Sequence, residues 1–270
     1  MSTREVQLVE PSPSRAEPAS PTADSTPPIG PIDHYWADEA SRKRFVRDLF
    51  DRSAPEYDHV ERLLAFGTGP WYRRDALRRA GLRPGTKVLD IATGTGLVAR
   101  EAYAIVGETG LVVGLDPSAG MLECARDVAT GILVRGYGER LPCRDASFDF
   151  VTMGFALRHV ADLGQLFREI RRVLRPGGTA CILEISRPRS RLASAALRAF
   201  MTRLAPLLAG SAPRRAEART LLKFYWDTIE ACVSPGDVLL ALEGAGFQGP
   251  RRHVVLGIFS EYLATREGGP

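Results

Sequence analysis

The sequence predicts an α/β protein in which helices cover both faces of a doubly wound, mostly parallel sheet. From about residue 85 onward, short apolar runs alternate with helical stretches, and this pattern is typical of repeated β-α units. The first run, Lys87–Ile91, is entered from a Pro-Gly turn and left through glycines, as a buried parallel strand is. The second run is closed by Asp116. In such a sheet the ligand lies beyond the carboxyl ends of the strands.

Strands and helices follow one another along the chain in a regular order. After Lys87–Ile91 the predicted strands are 111–115, 148–153, 179–185, 252–255 and 257–264. A helix is expected over Leu97–Val106, and another opens at Asp116-Pro117-Ser118, with the aspartate as its cap. A third helix has the apolar face Leu163, Leu166, Ile170, Val173 and Leu174, and the run Pro176-Gly177-Gly178 stops it. A fourth covers about 235–243 and ends at two glycines, Gly244 and Gly246.

The chain divides into a tail and one domain. Residues 1–31 contain seven of the 19 prolines and few large apolar side chains, so they cannot bury enough surface to offset the entropy of ordering. We therefore predict a disordered tail at 1–31 and a single domain at 33–270, in which about 187–232 forms a variable cap.

Composition excludes several classes of function. The formal charge of +4 is spread thinly, whereas a nucleic-acid surface is densely basic with interleaved aromatic side chains, so no nucleic-acid partner is predicted. The four cysteines stand far apart without a C-x-x-C pair, and the four histidines are scattered, so we predict reduced thiols and no metal. No apolar run approaches the ~18 residues needed to span a bilayer. A cytoplasmic protein is expected, with contact to the inner face of a membrane left open.

A glycine loop and two aspartates indicate the ligand. The stretch 94–99 satisfies the pattern G-x-G-x-x-A, which by itself suggests a dinucleotide. However, a buried carboxylate at Asp90 would repel a pyrophosphate, whereas it can serve an ammonium group. Asp116 follows Gly94 by 22 residues and is placed to bind both hydroxyls of an unphosphorylated ribose, although it can also cap a helix. These details favour S-adenosylmethionine over a dinucleotide.

The segments 88–96 and 113–122 resemble motifs I and II of the class I methyltransferases. More narrowly, the chain resembles the C-methyltransferases of ubiquinone and menaquinone biosynthesis. The segments that carry this likeness lie within about 45–190 and are 50–58, 65–67, 71–74, 139–142, 147–149, 155–160, 172–178 and 183–188. The resemblance implies a seven-stranded, Rossmann-like class I fold, S-adenosylmethionine as cofactor with S-adenosylhomocysteine as product, and methylation at a ring carbon of a quinol precursor, similar to demethylmenaquinol.

The resemblance also implies contacts with the cofactor, with Tyr57 at its methionine end. Together with the loop and the two motifs, it gives these predicted cofactor-binding residues: Tyr57, Asp90, Thr93, Gly94, Thr95, Gly96, Asp116, Met121, Tyr137, Gly138 and Gly154. Relatives usually have Asp or Asn followed by Ala where this chain has Tyr137-Gly138. A side chain for the adenine amine is therefore missing, and that contact is left to the backbone or to Glu139.

Two neighbouring residues are predicted to be catalytic. Attack from a hydroquinone carbon is favoured when a ring hydroxyl loses its proton, and a base with a pKa near the working pH helps. His159 is placed for this role just past a strand, and Arg158 can stabilise a phenolate. The alternative for His159 is a loop or cap residue with a satisfied hydrogen bond.

Aromatic and basic residues suggest where the acceptor binds. Phe66, Trp71, Tyr225 and Trp226 are predicted to wall a substrate pocket, with ordinary core packing as the alternative. Between 187 and 219 there are eight arginines against one acid, Glu217, with apolar residues between them. This segment is interpreted either as a peripheral membrane contact that admits a prenylated quinol or as a solvated helical face.

The C-terminal residues leave other functions open. The run 256–262 departs from the glycine-rich, histidine-containing strand of quinone-methylating relatives. O-, N- or C-methylation of a different small molecule in secondary metabolism is therefore an alternative. A non-catalytic scaffold of a biosynthetic complex and a dehydrogenase are the remaining hypotheses.

Overall fold

The computed structural model describes residue 32 and residues 35–126, 131–209 and 211–268, without the side chains of residues 212–214 and 217. The predicted tail at 1–31 lies outside these residues. The strands are β1 (Lys87–Ile91), β2 (Leu111–Asp116), β3 (Ile132–Arg135), β4 (Phe148–Gly154), β5 (Leu174–Ile185), β6 (Phe247–Val255) and β7 (Phe259–Arg266). They form one seven-stranded sheet in the order β3-β2-β1-β4-β5-β7-β6, in which β7 pairs antiparallel with β5 and β6. The predicted mostly parallel, seven-stranded sheet is confirmed.

Helices cover both faces of the sheet and one end of it. They are α1 (Glu39–Leu64), α2 (Gly69–Arg79), α3 (Leu97–Val106), α4 (Ala119–Ala125), α5 (Leu163–Val173), α6 (Arg191–Ala199), α7 (Ala205–Leu208), α8 (Ala212–Ala231) and α9 (Pro235–Gly244). A 3₁₀ turn at Leu157–His159 follows β4, and a π-helical turn at Phe200–Leu204 joins α6 to α7. The predicted helix at Leu97–Val106 has the expected bounds.

Two local expectations were wrong, and one strand was not predicted. Asp116 does not cap α4, because it is the last residue of β2, and the Ser118 hydroxyl accepts the N–H of Met121 instead. Leu174 does not belong to the helical face, because it starts β5 opposite Phe148. Strand β3 was not foreseen, since it is a short edge strand whose four residues are exposed or half-buried.

Alternation along the strands produces two apolar layers, because successive side chains point to opposite faces of a sheet. Val88 and Val112 pack in the layer of α2 and α3, which includes Leu77 and Ala102. Leu89, Ile91, Val113 and Leu115 pack in the opposite layer with α5 and α9, which includes Leu166, Phe167 and Leu242. Central strands buried on both faces in this way form a rigid base for the loops at their carboxyl ends.

A third apolar cluster joins α1 to the cap helices. It contains buried Leu49 and Val60 from α1 and buried Phe224, Tyr225 and Trp226 from α8. The ring of Phe224 lies 5.8 Å from that of Phe45 on α1. Helix α1 is therefore held against the cap and closes one end of the sheet. Within the described residues, no helix is long and apolar enough to cross a membrane.

Candidate active site

A cavity opens where the strand order reverses, at the carboxyl ends of β1 and β4. It encloses about 870 Å³, including space open to solvent. Its walls are the loops after β1, β2, β3 and β4 and one face of α1. Of the residues predicted for the site, those that line it are Tyr57, Gly94, Asp116, Met121, Tyr137, Gly138, Gly154 and His159. The cavity lies at the topological switch point, which is where open α/β sheets bind their ligands.

The glycine loop is tied directly to the second strand. Gly94 and Gly96 have φ values of 56° and 85°, a left-handed conformation that favours glycine. The N–H of Gly94 donates to the carboxylate of Asp116 at 2.9 Å, and the N–H of Ser118 donates to its other oxygen at 2.8 Å. Burial raises the pKa of Asp116 to about 6, against the effect of these two bonds. The carboxylate is thus fixed at the cavity wall with lone pairs left for a diol.

Asp90 lies behind the loop. Its side chain is fully buried, and one oxygen accepts the Thr93 hydroxyl at 2.7 Å. The other oxygen, Oδ1, has no hydrogen-bond partner among the described residues. Burial raises the pKa of Asp90 to about 7, the Thr93 bond lowers it, and the charge of Asp116 raises it. A buried carboxyl group with one unpartnered oxygen can bind a cationic or hydrogen-bond-donating group.

Two residues at strand ends adopt strained backbone conformations. Ala92, after β1, has φ 52°, and Phe155, after β4, has φ 60°; both line the cavity. Non-glycine residues in this region cost about 1–3 kcal/mol each and concentrate at functional sites. Their position on opposite sides of the switch point indicates that both strand ends are shaped for a ligand.

Helix α1 is fastened to three of these loops. The Thr95 hydroxyl donates to Asp58 at 2.5 Å, and the Ser118 hydroxyl donates to Asp51 at 2.5 Å. Arg42, which is buried, donates to the carbonyl oxygen of His159 at 3.0 Å and also to that of Val160. The helix therefore forms a wall of the site whose position depends on the loops after β1, β2 and β4.

His159 reaches the cavity from the turn after β4. Its ring stacks on Phe224 at 5.3 Å and meets the edge of Phe50 at 5.3 Å. Neither ring nitrogen has a hydrogen-bond partner in the described part of the chain. Burial lowers the pKa of His159 well below its ordinary value, and the charges of Arg158 and Arg42 lower it further. We expected a base with a pKa near the working pH; burial among apolar rings and beside two cations instead lowers the pKa of this imidazole.

Arg158 lies behind the cavity wall. It is 1% exposed and forms a buried ion pair with Glu184. It also donates to the carbonyl of Phe155 at 2.9 Å and to Thr228 at 3.1 Å. Its guanidinium is thus held by protein groups and can act on a bound molecule only through its charge.

The four aromatic residues predicted for a substrate pocket do not line the cavity. Phe66 and Trp71 are 77% and 68% exposed, and Phe66 stacks on Phe200 at the surface. Trp226 is buried in the cluster between α1 and α8. Tyr225 comes nearest, with its ring 6.5 Å from Tyr57 and 6.4 Å from Phe50. These placements follow from tertiary packing, which the sequence spacing of aromatic residues does not reveal.

Four predicted cofactor residues support the loop from outside the cavity. Asp90, Thr93, Thr95 and Gly96 are not among its lining residues. At the adenine side, Gly138 has no room for a side chain, because a Cβ atom would lie 2.8 Å from Leu166 and 2.9 Å from Ile91. Glu139 lines the cavity, but its carboxylate accepts the N–H of Ala161 at 2.7 Å.

Sequence reasoning missed one face of α1. Lys43, Val46, Arg47 and Phe50 line the cavity together with Tyr57, and residues spaced by three, four and seven share a face of a helix. Only Tyr57 was singled out in advance. The helical spacing of the other four was the signal that could have identified them.

The residues fit S-adenosylmethionine. Asp116 offers a fixed carboxylate to a ribose, and a Cβ atom built on Gly94 would meet nothing within 4 Å, so that backbone faces open space. Asp90 offers an unpartnered oxygen for the charged amino-acid end. In the described part of the chain, no group of three or more His, Cys, Asp or Glu side chains could hold a metal ion, and none of the four cysteines forms a disulfide.

Sequence comparison finds one family over most of the chain. The profile of the ubiE/COQ5 methyltransferase family matches residues 37–250. The ubiquinone/menaquinone biosynthesis C-methyltransferase UbiE of Geobacter sulfurreducens is 40% identical over 172 residues, which are 61% of this chain and 67% of that protein. UbiE of Geotalea daltonii is 31% identical over 229 residues, covering 82% and 96%.

Solved structures share the fold at lower identity. A SAM-dependent methyltransferase from Aquifex aeolicus has a TM-score of 0.59 and 20% identity, covering 80% of this chain and 98% of its own. A SAM-dependent methyltransferase from Thermotoga maritima, described as a possible histamine N-methyltransferase, has a TM-score of 0.59 and 20% identity, covering 82% and 99%. At this identity the likeness concerns the fold alone.

Proposed function

The chain belongs to the ubiE/COQ5 methyltransferase family and is an S-adenosylmethionine-dependent methyltransferase, and we propose that it methylates a ring carbon of a quinol precursor similar to demethylmenaquinol. Support comes from the relatives' activity in ubiquinone and menaquinone biosynthesis. Further support comes from the cavity, where the imidazole of His159, whose two nitrogens have no partner among the described residues, lies against Phe50. The match to the family over residues 37–250 is the single observation that carries the proposal, because the named relatives are C-methyltransferases of quinone biosynthesis.

The residues that would hold the cofactor belong to the loops after β1 and β2 and their neighbours. Asp116 would accept the two ribose hydroxyls, the loop Thr93-Gly94-Thr95-Gly96 would support the bound molecule, and Met121 would pack near the nucleoside. Tyr137, Gly138 and Gly154 would contact the nucleoside side, and Tyr57 the methionine end. The cofactor supplies a methyl group on a cationic sulfur, which a nucleophile displaces in line.

The protein's part in the reaction is positioning and proton transfer. His159 would accept the proton of a ring hydroxyl, and the electron density this releases would let the ring carbon take the methyl group that the bound cofactor would supply from its sulfonium. The ring carbon then loses its own proton to water, and the ring is aromatic again. The charge of Arg158, from behind the wall, would stabilise the phenolate.

We further propose that the cap at about 187–232 is a variable part of a single domain at 33–270 and brings the enzyme to the membrane. Exposed arginines 187, 189, 191, 198 and 203 and exposed leucines 192, 204, 207 and 208 lie within the same stretch of sequence. We call these nine residues the cap surface. Basic residues near apolar ones favour anionic lipid, and a prenylated quinol resides in the bilayer.

The metabolic role is tested by deleting the gene and profiling the quinone pool by mass spectrometry. We expect a quinone that lacks one ring methyl to accumulate, and we expect the wild-type gene, but not the gene for His159→Ala, to restore the pool. An unchanged quinone pool together with loss of a methylated metabolite of another class would overturn the quinol assignment in favour of secondary metabolism.

A further inference from the structure

Arg42 is a buried cation whose hydrogen bonds go to the backbone of the turn that carries His159. It lies near the start of α1 and is 4% exposed. Its Nη2 donates to the carbonyl oxygen of His159 at 3.0 Å and also to that of Val160, and both of these residues line the cavity. The contact therefore joins the helix at one wall of the cavity to the backbone of another wall.

The two carbonyl groups have no donor from the backbone around them. The 3₁₀ turn Leu157–His159 ends here, and no backbone N–H in the described part of the chain donates to either carbonyl. A buried carbonyl group without a donor is unfavourable, because it has lost its hydrogen bonds to water. The guanidinium of Arg42 therefore stabilises the turn in the conformation observed.

The ring of His159 depends on this turn for its position. Neither ring nitrogen has a hydrogen-bond partner among the described residues. The ring stacks on Phe224 of α8 and meets the edge of Phe50 of α1, and these contacts orient its plane. The backbone of the turn fixes the point from which the side chain extends. Because Arg42 and Phe50 both belong to α1, this one helix contacts the backbone of His159 and one side of its ring.

Carboxylates hold the guanidinium of Arg42 in place. Its Nε lies 3.5 Å from a carboxylate oxygen of Glu39, and the charge of Glu139 also acts on it. Glu139 accepts the N–H of Ala161 at 2.7 Å, so it contacts the chain directly after the turn. Burial lowers the pKa of Arg42, and the two carboxylates raise it; a guanidinium stays charged in proteins. Arg42 thus acts on the turn as a fixed cation.

We infer that Arg42 is a positioning residue for methyl transfer, because its guanidinium holds the turn after β4 against α1 and so directs the imidazole of His159 toward the acceptor ring. The inference rests on the proposed function, in which His159 takes the proton of a ring hydroxyl. A base acts only within hydrogen-bond reach of that proton. A displacement of about 1 Å caused by a distant change can cost about 100-fold in rate.

The charge of Arg42 gives the inference a second observable effect. Burial lowers the pKa of His159 most, and the charges of Arg158, in the same turn, and of Arg42, on α1, lower it further. The other titratable groups beside these rings are Tyr57 on α1 and Tyr225 on α8, and burial raises the pKa of both, so they stay neutral. Removal of the charge at Arg42 should therefore raise the pKa of His159.

Three variants on α1 test the role in the reaction. Arg42→Met should lower kcat with a ring-demethylated quinol by about 10- to 100-fold. It should leave the affinity for S-adenosylhomocysteine unchanged, because Arg42 contacts neither the glycine loop nor Asp116. Arg42→Lys keeps the charge but not the planar fork and should recover part of the loss. Arg44→Met, an exposed position on the same helix, should behave as wild type. Thermal melting establishes that each variant is folded.

An NMR titration of protein labelled with ¹⁵N-histidine follows His159 without any acceptor. Its signal is the one that is absent from His159→Ala. In Arg42→Met this ring should take up its proton at higher pH than in wild type, whereas in Arg42→Lys and Arg44→Met its titration should not move. If Arg42→Met does not fold, Arg42→Lys carries the test, since its kcat should fall below that of wild type while cofactor affinity is kept.

The outcomes separate the inference from the proposed function. Unchanged kcat in Arg42→Met would overturn the inference, and so would an equal loss of kcat and of affinity for S-adenosylhomocysteine, since Arg42 would then serve only the fold. An unmoved His159 titration in Arg42→Met would overturn it as well, because the guanidinium would not lie beside the ring. If the wild-type protein transfers no methyl group to the quinol, the proposed function fails, and the NMR titration still shows whether Arg42 acts on His159.

Discussion

The N–H of Gly94 donates a hydrogen bond to the carboxylate of Asp116 at 2.9 Å, across 22 residues of sequence. The bond links the loop after β1 to the last residue of β2, so the glycine loop and the acid form one rigid unit. The N–H of Ser118 holds the other carboxylate oxygen, and the Ser118 hydroxyl donates to Asp51 on α1. The proposed ribose position is therefore coupled to helix α1.

Replacing Asp116 is expected to weaken the cofactor strongly. Asp116→Ala removes the acceptor for the ribose and frees the Gly94 N–H, and each hydrogen bond to a charged group contributes about 1.5–3 kcal/mol. The affinity for S-adenosylhomocysteine, measured by calorimetry, should fall at least ~100-fold. Glu123→Gln is the control, since Glu123 is 69% exposed on the following helix and should bind normally. An Asp116→Ala affinity close to wild type would refute the assignment.

His159→Ala is expected to impair turnover far more than cofactor binding. A general base contributes about 100- to 10,000-fold to the rate, whereas the imidazole makes no contact that fixes the nucleoside. Steady-state assays should show a large fall in kcat with little change in affinity for S-adenosylhomocysteine. His253→Ala, on exposed β6, should behave as wild type. Unchanged turnover in His159→Ala would show that another group takes the proton.

The lowered pKa of His159 is expected to show in the pH dependence of kcat. Burial keeps the ring neutral well below the ordinary histidine pKa, so acid does not switch off this base near neutrality. The pH profile of kcat should therefore show no fall around pH ~6.5, the ordinary histidine pKa. A fall there that vanishes in His159→Ala would contradict the neutral, buried ring.

Asp90 is expected to make the ligand-free fold less stable as pH rises. Its pKa is about 7 in the fold and about 4 in the unfolded chain, so the folded state binds the extra proton between these values. The contribution of Asp90 to the free energy of unfolding is complete below about pH 4. It falls by up to ~1.4 kcal/mol per pH unit as the pH rises to about 7. Urea unfolding at about pH 5 and pH 8 should show a pH-dependent gap between wild type and Asp90→Asn, and a constant gap would exclude this effect.

Binding to anionic vesicles is expected to depend on the cap surface. Replacing Arg198 and Arg203 with glutamine removes two exposed charges beside Leu204 and Leu207, and each basic residue near such a membrane contributes about 1 kcal/mol. Sedimentation with phosphatidylglycerol vesicles should fall about 10-fold or more and weaken with salt. Arg144→Gln, exposed in the loop before β4, is the control. Equal sedimentation of all three proteins would argue for a merely solvated helical face.

The part of the site formed by residues that are close in sequence could be predicted from the sequence. The strand Lys87–Ile91, the loop glycines and helix Leu97–Val106 follow each other in sequence, so their apolar run, turn and helix period could be recognised from the residues. The same holds for Asp116, which sits at a strand end. By contrast, strand β3 has half-exposed residues, and its pairing with β2 depends on the sheet around it.

Features that depend on packing between distant parts of the chain could not be predicted from the sequence. Helix α1 contains Pro55, which argues against a helix of that length, and its apolar face is satisfied by α8, more than 150 residues away. For the same reason Trp226 lies in the core and Phe66 at the surface, although both were expected at a pocket.

Transfer of a labelled methyl group tests the central claim most directly. The purified protein is incubated with S-adenosylmethionine carrying a ¹³C methyl group and with a reduced, ring-demethylated quinol, and the product is examined by mass spectrometry and NMR. We predict one added label with the chemical shift of a methyl on an aromatic carbon, and its loss in His159→Ala. A label on oxygen, or no transfer to a quinol that the protein binds together with S-adenosylhomocysteine, would contradict it.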